Sequence, residues 1–446
     1  MRRLILFWGD VALLYFSLLI SLLIRYGWSA GYLFNLQIHL APFTIIFAVW
    51  LLVFYITNLY EIGFSKNNLQ FYTALSSSVV VNALISIVFF YFVPYFRITP
   101  RTNLFIFLAT YLVLLAPWRH LYNRLIAQRN LKNNTLILGF SPQSQELYDF
   151  LLANPQLGYN ALGIIDTEHQ TAPEVLENII REKNVKTLIL GPAAYKVPKI
   201  INILYNLVRL RMNFYNLSDF AERNTGRVPL GAIDQIWFLS NLDENSKRVY
   251  EFGKRMFDLL LATAIGLVFL PILPFMALAI KLDSKGNVFY RQARVGKAGE
   301  TVTLIKFRTM FQDAEDKTGP VWAIENDNRT TRVGRFIRRT RIDEIPQIWN
   351  ILKGEMSFVG PRPERPEFHE KLKKEIPFYE ERYLIKPGLT GWAQIKYRLD
   401  FRGSMTLNDV KEKIQYDLYY IKNRSFLLDM SIILKTISII LGKILK

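Results

Sequence analysis

Four long apolar blocks in the first quarter of the chain constrain its fold more than any other feature of the sequence. They lie at Leu4–Ile24, Ala41–Leu59, Thr73–Val93 and Asn103–Trp118. As a helix, each block is about long enough to cross the ~30 Å hydrocarbon core of a bilayer, the last one only marginally. The sequence therefore predicts a four-helix transmembrane bundle over residues 1–125.

Basic residues predict how this bundle is oriented. A larger basic group falls on the side that holds both ends of the bundle, at Arg2, Arg3, Lys66, Arg119, Arg124, Arg129 and Lys132. A smaller group falls on the other side, at Arg25, Arg97 and Arg101. Because the more basic side of a membrane protein stays in the cytoplasm, we expect both ends inside. No small-residue cleavage site follows the first apolar block, which is therefore interpreted as an uncleaved span rather than a signal peptide.

Composition narrows the classes of partner and chemistry. A formal net charge of +18 on a chain that is 51% hydrophobic suits a membrane protein that binds anionic headgroups or phosphorylated substrates. No sequence-specific nucleic-acid module is evident, so we expect no nucleic-acid partner. Cysteine is absent, which excludes disulfides, thiolate nucleophiles and cysteine metal sites. The scattered histidines argue against a zinc site: His39, His120, His169 and His369.

Residues 132–242 have the pattern of a soluble α/β module. Strand-like apolar runs at Thr135–Gly139, Ala161–Ile165 and Thr187–Leu190 are separated by helical patterns such as Ser144–Leu152. Alternation of strand and helix at this spacing predicts a parallel, Rossmann-like sheet.

The turn after the first of these strands is Gly139-Phe140-Ser141-Pro142. It lacks the three glycines that let a backbone approach a pyrophosphate. A scaffold or regulatory module is therefore favoured over a dinucleotide enzyme.

Residues 247–446 are predicted to form a third, mixed and mainly α domain that begins with a long apolar helix over 254–281. Pro271 and Pro274 interrupt this helix, which has to bend or break there because proline lacks a backbone donor. Basic residues flank it on both sides, and a single crossing would put one cluster outside. We favour a re-entrant helix that dips into one leaflet and returns; a kinked fifth span is the alternative.

Local patterns give two further predictions for this region. Asp258 follows Lys254 and Arg255 at helical spacing and is expected to be their charge partner at the membrane surface. Phe426–Leu445 is apolar but carries charges, which suits a helix lying in the interface or packed on the domain better than a span.

Chemistry is concentrated between Phe336 and Pro363. The adjacent carboxylates Asp343 and Glu344 follow an arginine run that includes Arg338, and the stretch ends in the rigid loop Gly360-Pro361-Arg362-Pro363. Oxygen ligands hold Mg²⁺, while arginines bind phosphate oxygens in bidentate geometry. The combination favours phosphate chemistry with a hard metal, whereas the acidic pair alone would favour an ordinary first helical turn.

The apolar periodicity after this pair predicts a helix through Ile345–Leu352 that ends at Gly354. The amides at its start would favour phosphate binding. Lys386–Gln394 is a turn-rich loop with a tryptophan, for which ligand binding and a position at the membrane boundary both remain open.

Four more charged residues are weaker candidates for substrate binding. Lys306 and Arg308 lie where basic and apolar residues alternate, as in a strand, and Asp327 and Arg329 form a mixed cluster. Surface salt bridges explain each of these patterns equally well.

From Lys254 to its C-terminal end the chain resembles the monotopic polyprenyl-phosphate phosphoglycosyl transferases, bacterial sugar transferases that initiate surface-polysaccharide assembly. The upstream bundle and Rossmann-like module resemble the long form of that family, and Gly319–Trp322 and Pro363–Phe368 resemble its exopolysaccharide subgroup. The motifs that carry the resemblance are Lys254-Arg255-x-x-Asp258, the proline-broken helix, Lys306–Met310, Arg338, Asp343-Glu344, Met356–Pro363 and Pro387-Gly388-x-Thr390-Gly391-Trp392.

The resemblance implies a two-step, Mg²⁺-dependent exchange at the bacterial inner membrane, with the catalytic domain facing the cytoplasm. Asp343 would attack the sugar-proximal phosphorus of a UDP-sugar and expel UMP. A polyprenyl (undecaprenyl) phosphate would then capture the glycosyl-phosphoryl aspartate. Glu344 would ligate Mg²⁺, and Arg338 and Arg362 would stabilise phosphate charge. Membrane lipids are further expected partners, and a homo-oligomer remains open.

Two other functions remain open at this point. One is a non-catalytic membrane scaffold or sensor with a ligand-binding α/β module, against which the intact Asp343-Glu344 pair argues. The other is a nucleotide-sugar oxidoreductase or dehydratase built on the α/β module, against which the incomplete phosphate turn argues.

Overall fold

A computed structural model describes all of the chain except residues 1, 29, 94–100, 128–131, 168–172, 198–199, 201, 203, 206–211, 313, 315–326, 398–405 and 445–446. Four features used above, Arg97, Arg129, His169 and the Gly319–Trp322 motif, lie outside the described residues. The chain divides into two compact units, Met1–Asn216 and Leu217–Lys446.

The first unit begins with four long apolar helices. They are α1 (Arg2–Tyr26), α2 (Ala30–Ile56), α3 (Leu69–Phe92) and α4 (Arg101–Ala127). Each contains a segment long and apolar enough to cross a membrane, so the predicted four-helix membrane region is confirmed. The last helix extends well past its marginal predicted end at Trp118.

This extension is possible because a charge in α4 finds a partner inside the bundle. Arg119 Nη2 lies 2.5 Å from Asp10 Oδ2 of α1, and both side chains are fully buried. Arg119 Nη1 also donates to the carbonyl oxygen of Leu59 at 2.8 Å. Charges within membrane segments are tolerated when they pair in the interior, so this ion pair joins α1 to α4.

The rest of the first unit is a parallel α/β module. Its elements are β1 (Asn133–Leu138), α5 (Pro142–Ala153), β2 (Tyr159–Ile165), α6 (Pro173–Glu182), β3 (Thr187–Leu190) and β4 (Asn213–Asn216). The strands run parallel in the order β2-β1-β3-β4. The predicted Rossmann-like arrangement is confirmed.

The second unit begins earlier than the sequence pattern indicated. Residues 217–242 were assigned to the α/β module, but α7 (Leu217–Thr225) and α8 (Gln235–Asn241) belong to the second unit. Trp237 and Val228 are buried in the core of that unit, and Val228 N donates to Gln415 O at 3.0 Å. The boundary between the two units therefore follows the burial of these apolar side chains and not the end of the strand–helix alternation in the sequence.

The remaining elements of the second unit surround one apolar core. The helices are α9 (Arg248–Phe269), α10 (Leu273–Asp283), α11 (Arg332–Arg339), α12 (Ile348–Lys353), α13 (Pro366–Glu375), α14 (Trp392–Lys396), α15 (Leu407–Asn423) and α16 (Phe426–Ile444). The strands are β5 (Phe289–Val295), β6 (Thr301–Phe307), β7 (Ser357–Val359) and β8 (Gly388–Thr390). β5 and β6 form an antiparallel pair, and β7 and β8 a parallel pair.

The predicted break in the long apolar helix lies between α9 and α10, which meet at a bend of 63°. The helical hydrogen bonds continue to Leu270 N, which donates to Gly266 O at 2.8 Å. Pro271 falls in the break itself, and Pro274 lies in the first turn of α10, where a missing N–H costs little.

Polar residues at the start of α9 attach it to three different elements. Lys254 Nζ lies 2.6 Å from Asp429 Oδ2 of α16, and Arg255 donates to the carbonyl oxygens of Ile351 and Leu352 at the end of α12. Asp258 accepts a 3.2 Å hydrogen bond from Phe358 N of β7. Asp258 therefore anchors a strand. The charge of Lys254 acts on Asp258 as predicted, but this carboxylate is buried in the domain and does not lie at a surface.

The C-terminal helix α16 packs on the domain, one of its two predicted positions. Asp429 and Ile432 are both buried, the first in its ion pair with Lys254 and the second in the core of the unit.

Candidate active site

The site is built on β6, which carries Lys306, and on the turn that precedes α12. Asn350 of α12 joins the two: its Nδ2 donates to Thr303 O at 2.8 Å and its Oδ1 accepts from Ile305 N at 3.3 Å. The amide of Asn350 is buried, so these bonds fix the turn against the strand.

The acidic pair lies on a 3₁₀ segment, Ile342–Gln347, rather than at the start of an α-helix as expected. Pro346 within this segment has no N–H to donate, and regular α-helix begins only at Ile348. The predicted end at Gly354 is confirmed, with φ of 87°. Because the following helix has only 6 residues, we assign it no dipole contribution to phosphate binding.

Glu344 is surrounded by three cations. Its Oε1 accepts from Arg362 Nη2 at 2.9 Å and from Lys306 Nζ at 3.4 Å, and its Oε2 lies 3.7 Å from Arg341 Nη1. Burial alone would raise the pKa of Glu344, but the charges of Arg362, Lys306 and Arg341 outweigh it and hold that pKa far below its usual range. Glu344 is therefore a fixed, neutralised anion.

Asp343 has the opposite environment. Its side chain is buried, and its carboxylate makes no hydrogen bond or ion pair with any residue that the structure describes. Burial and the adjacent charge of Glu344 raise the pKa of Asp343 to about 6, against the opposing charges of Lys306, Arg338 and Arg362. Asp343 is thus an unpaired carboxylate in a strongly basic environment.

Arg338 lies on α11 and is an unpaired cation beside Asp343. Gly334 allows this helix to lie directly against the backbone of Thr309, where any Cβ would overlap with the Thr309 carbonyl. The charge of Arg338 acts on Asp343 and Asp327, yet its guanidinium makes no hydrogen bond or ion pair within the described part of the chain. It is available to an anionic ligand.

The loop that carries Arg362 is held by neighbouring backbone on both sides. Gly360 N donates to Thr390 O at 2.9 Å, and Gly388 N donates to Pro361 O at 2.9 Å. These contacts bring the Pro387–Trp392 motif against the loop. A Cβ at Gly388 would overlap with the backbone nitrogen of Gly360, so this position requires glycine for its close approach.

Comparison with known proteins assigns the chain to a protein family. Residues 249–443 match the bacterial sugar transferase family, and residues 55–204 match a family described as a CoA-binding domain. The chain is 31% identical over 319 residues to a UDP-glucose:undecaprenyl-phosphate glucose-1-phosphate transferase of Escherichia coli (strain K12), covering 69% of this chain and 67% of that protein. The chain belongs to the bacterial sugar transferase family.

Other relatives have similar names. A UDP-glucose:undecaprenyl-phosphate glucose-1-phosphate transferase of Xanthomonas campestris is 31% identical over 328 residues, which is 69% of this chain and 66% of that protein. A UDP-N-acetylgalactosamine-undecaprenyl-phosphate N-acetylgalactosaminephosphotransferase of Aeromonas hydrophila is 41% identical over 227 residues, which is 51% of this chain. The chain spans between about half and two thirds of these two relatives, at 52% and 66% of their lengths.

In this bacterial sugar transferase, the predicted site residues fall into two groups. Asp343, Glu344, Arg338, Arg362 and Lys306 come together, as their ion pairs and mutual electrostatic interactions show. Arg308 lies two residues from Lys306 but donates to Ser284 O, Ser284 Oγ and Lys285 O, just past the end of α10. Its contacts are structural.

Asp327 and Arg329 pair with each other. Arg329 Nη2 lies 2.6 Å from Asp327 Oδ2, and its backbone N–H donates to Asp327 Oδ1 at 3.1 Å. The charge of Arg338 also acts on Asp327, so the pair lies within electrostatic range of the site.

Trp392 occupies neither of its two predicted positions. It is buried in the core, where its ring stacks on Tyr419 and its Nε1 donates to Gly226 O at 2.8 Å. The tryptophan is therefore part of the core of the second unit, and its neighbour Gly391 lies against the backbone of Gly360.

Sequence reasoning missed the residues that hold the C-terminal side of the Arg362 loop. Arg382 Nη2 donates to Arg362 O at 2.9 Å and to Asp417 Oδ2 at 2.8 Å. Arg294 Nη1 donates to Pro363 O at 3.2 Å. Arg294 stood out only as one basic residue among many, and nothing in the pattern around Arg382 or Asp417 distinguishes them.

The donor set suits a hard divalent cation. Glu344 Oε2 accepts no hydrogen bond from a described residue, and both Asp343 oxygens are unengaged, so carboxylate oxygens are available. No cluster of three or more acidic or histidine side chains forms among the described residues. Mg²⁺ commonly binds one or two carboxylates and takes its other ligands from water and substrate phosphate, so the residues present fit this ion.

The match to a CoA-binding domain calls for a test of the α/β module. Open parallel sheets bind phosphates beyond the carboxyl ends of their strands, here those of β1 and β3. Residues that follow β3 already occupy the space beyond the carboxyl ends of these two strands. A Cβ on Gly139 would lie 3.1 Å from Ala194 N and 3.3 Å from Ala193 Cβ.

The backbone donors at this edge are also engaged within the module. Gly139 N donates to Ile165 O and Gly191 N to Leu138 O, both at 2.8 Å. Ser144 N, in the first turn of α5, donates to Ser141 Oγ at 3.1 Å. These three donors are therefore not available to the diphosphate of CoA, which agrees with the missing glycine fingerprint.

Proposed function

We propose that this protein transfers a sugar 1-phosphate from a UDP-sugar to a polyprenyl phosphate and releases UMP. The observation that carries the proposal is the difference between the two adjacent carboxylates. Glu344 is neutralised by three cations, whereas Asp343 has no partner among the residues that the structure describes. The names of the relatives from E. coli, X. campestris and A. hydrophila support the same reaction.

In the first step an Asp343 carboxylate oxygen forms a bond to the sugar-proximal phosphorus. The bond from that phosphorus to the bridging oxygen breaks, and UMP leaves with the electron pair. A glycosyl-phosphoryl aspartate remains. A carboxylate is a weak base but an adequate nucleophile at a phosphorus whose negative charge is balanced. Lys306, Arg338 and Arg362 supply that positive charge around Asp343.

In the second step an oxygen of the polyprenyl phosphate attacks the same phosphorus. The bond to Asp343 breaks, and the aspartate leaves as a carboxylate with its electron pair, ready for another cycle. The product is a sugar joined through a diphosphate to the lipid. The first step exchanges a phosphoanhydride bond for an acyl phosphate bond, and the second step makes the reverse exchange, so no oxidant or external energy source is needed.

The electrostatics of the pair favour Asp343 as the nucleophile. Glu344 is engaged by Arg362 and Lys306, and using its electron pair in a bond would break those contacts. Asp343, with a pKa of about 6, is mostly ionised at neutral pH and loses no protein contact on attack. Mg²⁺ held by Glu344 Oε2 would supply further neutralisation of the diphosphate and the departing UMP.

We further propose that α9 and α10 form a re-entrant pair at the cytoplasmic face of the bacterial inner membrane. The apolar part of α9, Leu259–Phe269, is about 16 Å long, or half of a ~30 Å hydrocarbon core. At 11 residues, α10 has a similar length. Apolar side chains around the break are exposed, as a lipid-embedded tip requires: Leu267, Val268, Leu270, Phe275 and Leu278.

A re-entrant helix pair would hold the second unit at the membrane surface. The acidic pair would then have access to both substrates, one in the membrane and one in solution. The lipid-linked product of the proposed reaction suits the first committed step of surface-glycan assembly. The resemblance of the Pro363–Phe368 segment to the exopolysaccharide subgroup favours exopolysaccharide as the glycan.

Labelling of cysteines introduced on either flank of the α9–α10 helix pair, at Lys247 and Lys285, tests the topology. Labelling of either position from outside intact cells would rule out re-entrance.

The reaction is tested by UMP release from a panel of UDP-sugars in membranes that contain the protein and polyprenyl phosphate. We expect Asp343→Ala to lower release by at least ~10³-fold, because it removes the covalent nucleophile. Asp219→Ala is the matched control, since this carboxylate is partly exposed and makes only a 3.7 Å contact with Lys422. Quenching wild type without lipid acceptor should trap a sugar phosphate on Asp343, detectable by mass spectrometry.

Equal UMP release by wild type and Asp343→Ala would end the nucleophile assignment. Absence of release from any UDP-sugar, with the protein folded and membrane-bound, would favour the non-catalytic scaffold instead.

A further inference from the structure

Two residues on one face of α15 are linked to the Arg362 loop, one through Arg382 and one directly. Asp417 and Tyr420, three residues apart on this helix, are both buried at 2% and 1% exposure. Asp417 binds Arg382 at 2.8 Å, and the same Arg382 nitrogen donates to the carbonyl oxygen of Arg362 at 2.9 Å. Asp417 therefore acts on the backbone of Arg362 through one intermediate.

Tyr420 acts at the other end of the loop. Its hydroxyl lies 3.3 Å from the carbonyl oxygen of Val359, three residues before Arg362. The same hydroxyl lies 2.6 Å from Asp429 Oδ1 and accepts from Lys254 Nζ at 3.3 Å. Tyr420 thereby joins the start of the Arg362 loop to the ion pair that holds α9.

The segment between these two points has little freedom of its own. Pro361 and Pro363 fix φ on both sides of Arg362, and Gly360 is closely packed against the backbone of residues 386–391. Arg382 is itself held between the rings of Tyr379 and Tyr383, at 5.4 and 5.7 Å from their centroids. The loop is thus conformationally restricted, and the contacts at its two ends determine the position of the Arg362 guanidinium.

We propose that Asp417 and Tyr420 are positioning residues that set the reach of Arg362 toward Glu344 and the donor phosphate. This inference rests on the proposed function. Neither residue touches the reacting atoms. Through Tyr420, Asp429 and Lys254, the position of the catalytic arginine is also tied to the seating of the membrane helix α9.

The test compares Asp417→Asn with Glu412→Gln in the full-length protein. Both changes convert an acid on α15 to its amide, but Glu412 pairs with Arg227 at 3.0 Å, on a different side of the helix. For Asp417→Asn we expect kcat/KM for UMP release to fall about tenfold or more, since a misplaced guanidinium stabilises the transition state less. Glu412→Gln should behave like wild type.

The pH profile separates positioning from a general loss of folded protein. The groups whose charges act on Asp343 are Glu344, Lys306, Arg338 and Arg362. Moving Arg362 away removes a positive charge, so the acid limb of kcat/KM should shift to higher pH in Asp417→Asn. A smaller folded fraction would lower the amplitude and leave the limb in place.

Tyr420→Phe is the second variant, because it keeps the buried ring and removes only the hydroxyl. It should show the same direction of change, with a smaller loss of kcat/KM. If wild type releases UMP, Asp343→Ala does not, and both positioning variants keep the wild-type limb and kcat/KM, the positioning role is wrong while the proposed function stands. Failure of wild type to release UMP would instead count against the proposed function itself.

Discussion

The guanidinium of Arg362 donates a 2.9 Å hydrogen bond to Glu344 Oε1. This contact divides two adjacent carboxylates into different roles. Glu344 is held ionised far below its usual pKa, while Asp343 has a raised pKa and no protein partner among the described residues. The site therefore offers an anchored anion, which fits a metal ligand, and an unengaged one, which fits a nucleophile.

The raised pKa of Asp343 predicts the acid side of the pH profile. Only the ionised carboxylate is nucleophilic, so activity falls as pH drops through its pKa of about 6. We expect kcat/KM for UMP release to decline about tenfold per pH unit below that value, and to be independent of this group well above it. Initial rates between about pH 5 and 8 provide the measurement. A limb near an ordinary aspartate pKa of ~3.9 would contradict the assigned environment.

Arg338 should contribute to catalysis through the charge that it holds beside Asp343. Arg338→Gln is expected to lower kcat/KM by about 10²–10³-fold, because a preorganised cation at the transferring phosphoryl group is lost. The matched control is Arg335→Gln, an exposed arginine one turn earlier on α11. Similar losses for the two variants would show that the basic helix acts as a whole surface and not through Arg338.

Metal dependence is predicted to involve Glu344. Chelation with EDTA should abolish UMP release and added Mg²⁺ should restore it, because the site itself offers too few ligands to retain the ion without substrate. Glu344→Gln should raise the Mg²⁺ concentration needed for half-maximal rate. Glu412→Gln is the comparison, since that carboxylate pairs with Arg227 at 3.0 Å and not with the site cations. Full activity of the wild type in EDTA would exclude the metal.

Gly388 should be among the least tolerant positions of the second unit. In Gly388→Ala the added methyl overlaps with the backbone nitrogen of Gly360, which cannot move without displacing Arg362. Overpacking of this kind costs about 1–3 kcal/mol, and we expect a lower thermal unfolding temperature together with lost activity. Gly253→Ala in α9 has open space around its Cβ and should be neutral or stabilising. Equal stability of the two variants would contradict the close approach.

Local pattern was sufficient for much of the fold. The four membrane helices follow from the length of the apolar blocks, the parallel sheet from the alternation of strand and helix, and the 63° bend from Pro271 and Pro274. Gly354 was identifiable as a helix end from its position after an apolar-periodic run. These features depend on neighbouring residues, which is why the sequence alone predicts them.

Within the site, the sequence identified the residue types but not their pairing. Asp343, Glu344, Arg338 and Arg362 stand out because two acids within a basic, proline-fixed stretch are unusual. Arg308 shared that basic pattern, yet it binds the backbone just past α10.

Period, length and residue type are local properties, and they are enough to predict a membrane-bound chain with a parallel α/β module and one acidic pair suited to phosphate. The three-dimensional fold is needed to see that Glu344 is neutralised while Asp343 has no partner among the described residues. The same holds for the contact by which Arg382 and Asp417 hold the Arg362 loop. Such relationships depend on approaches between segments distant in the chain, where burial makes each charge select a particular partner.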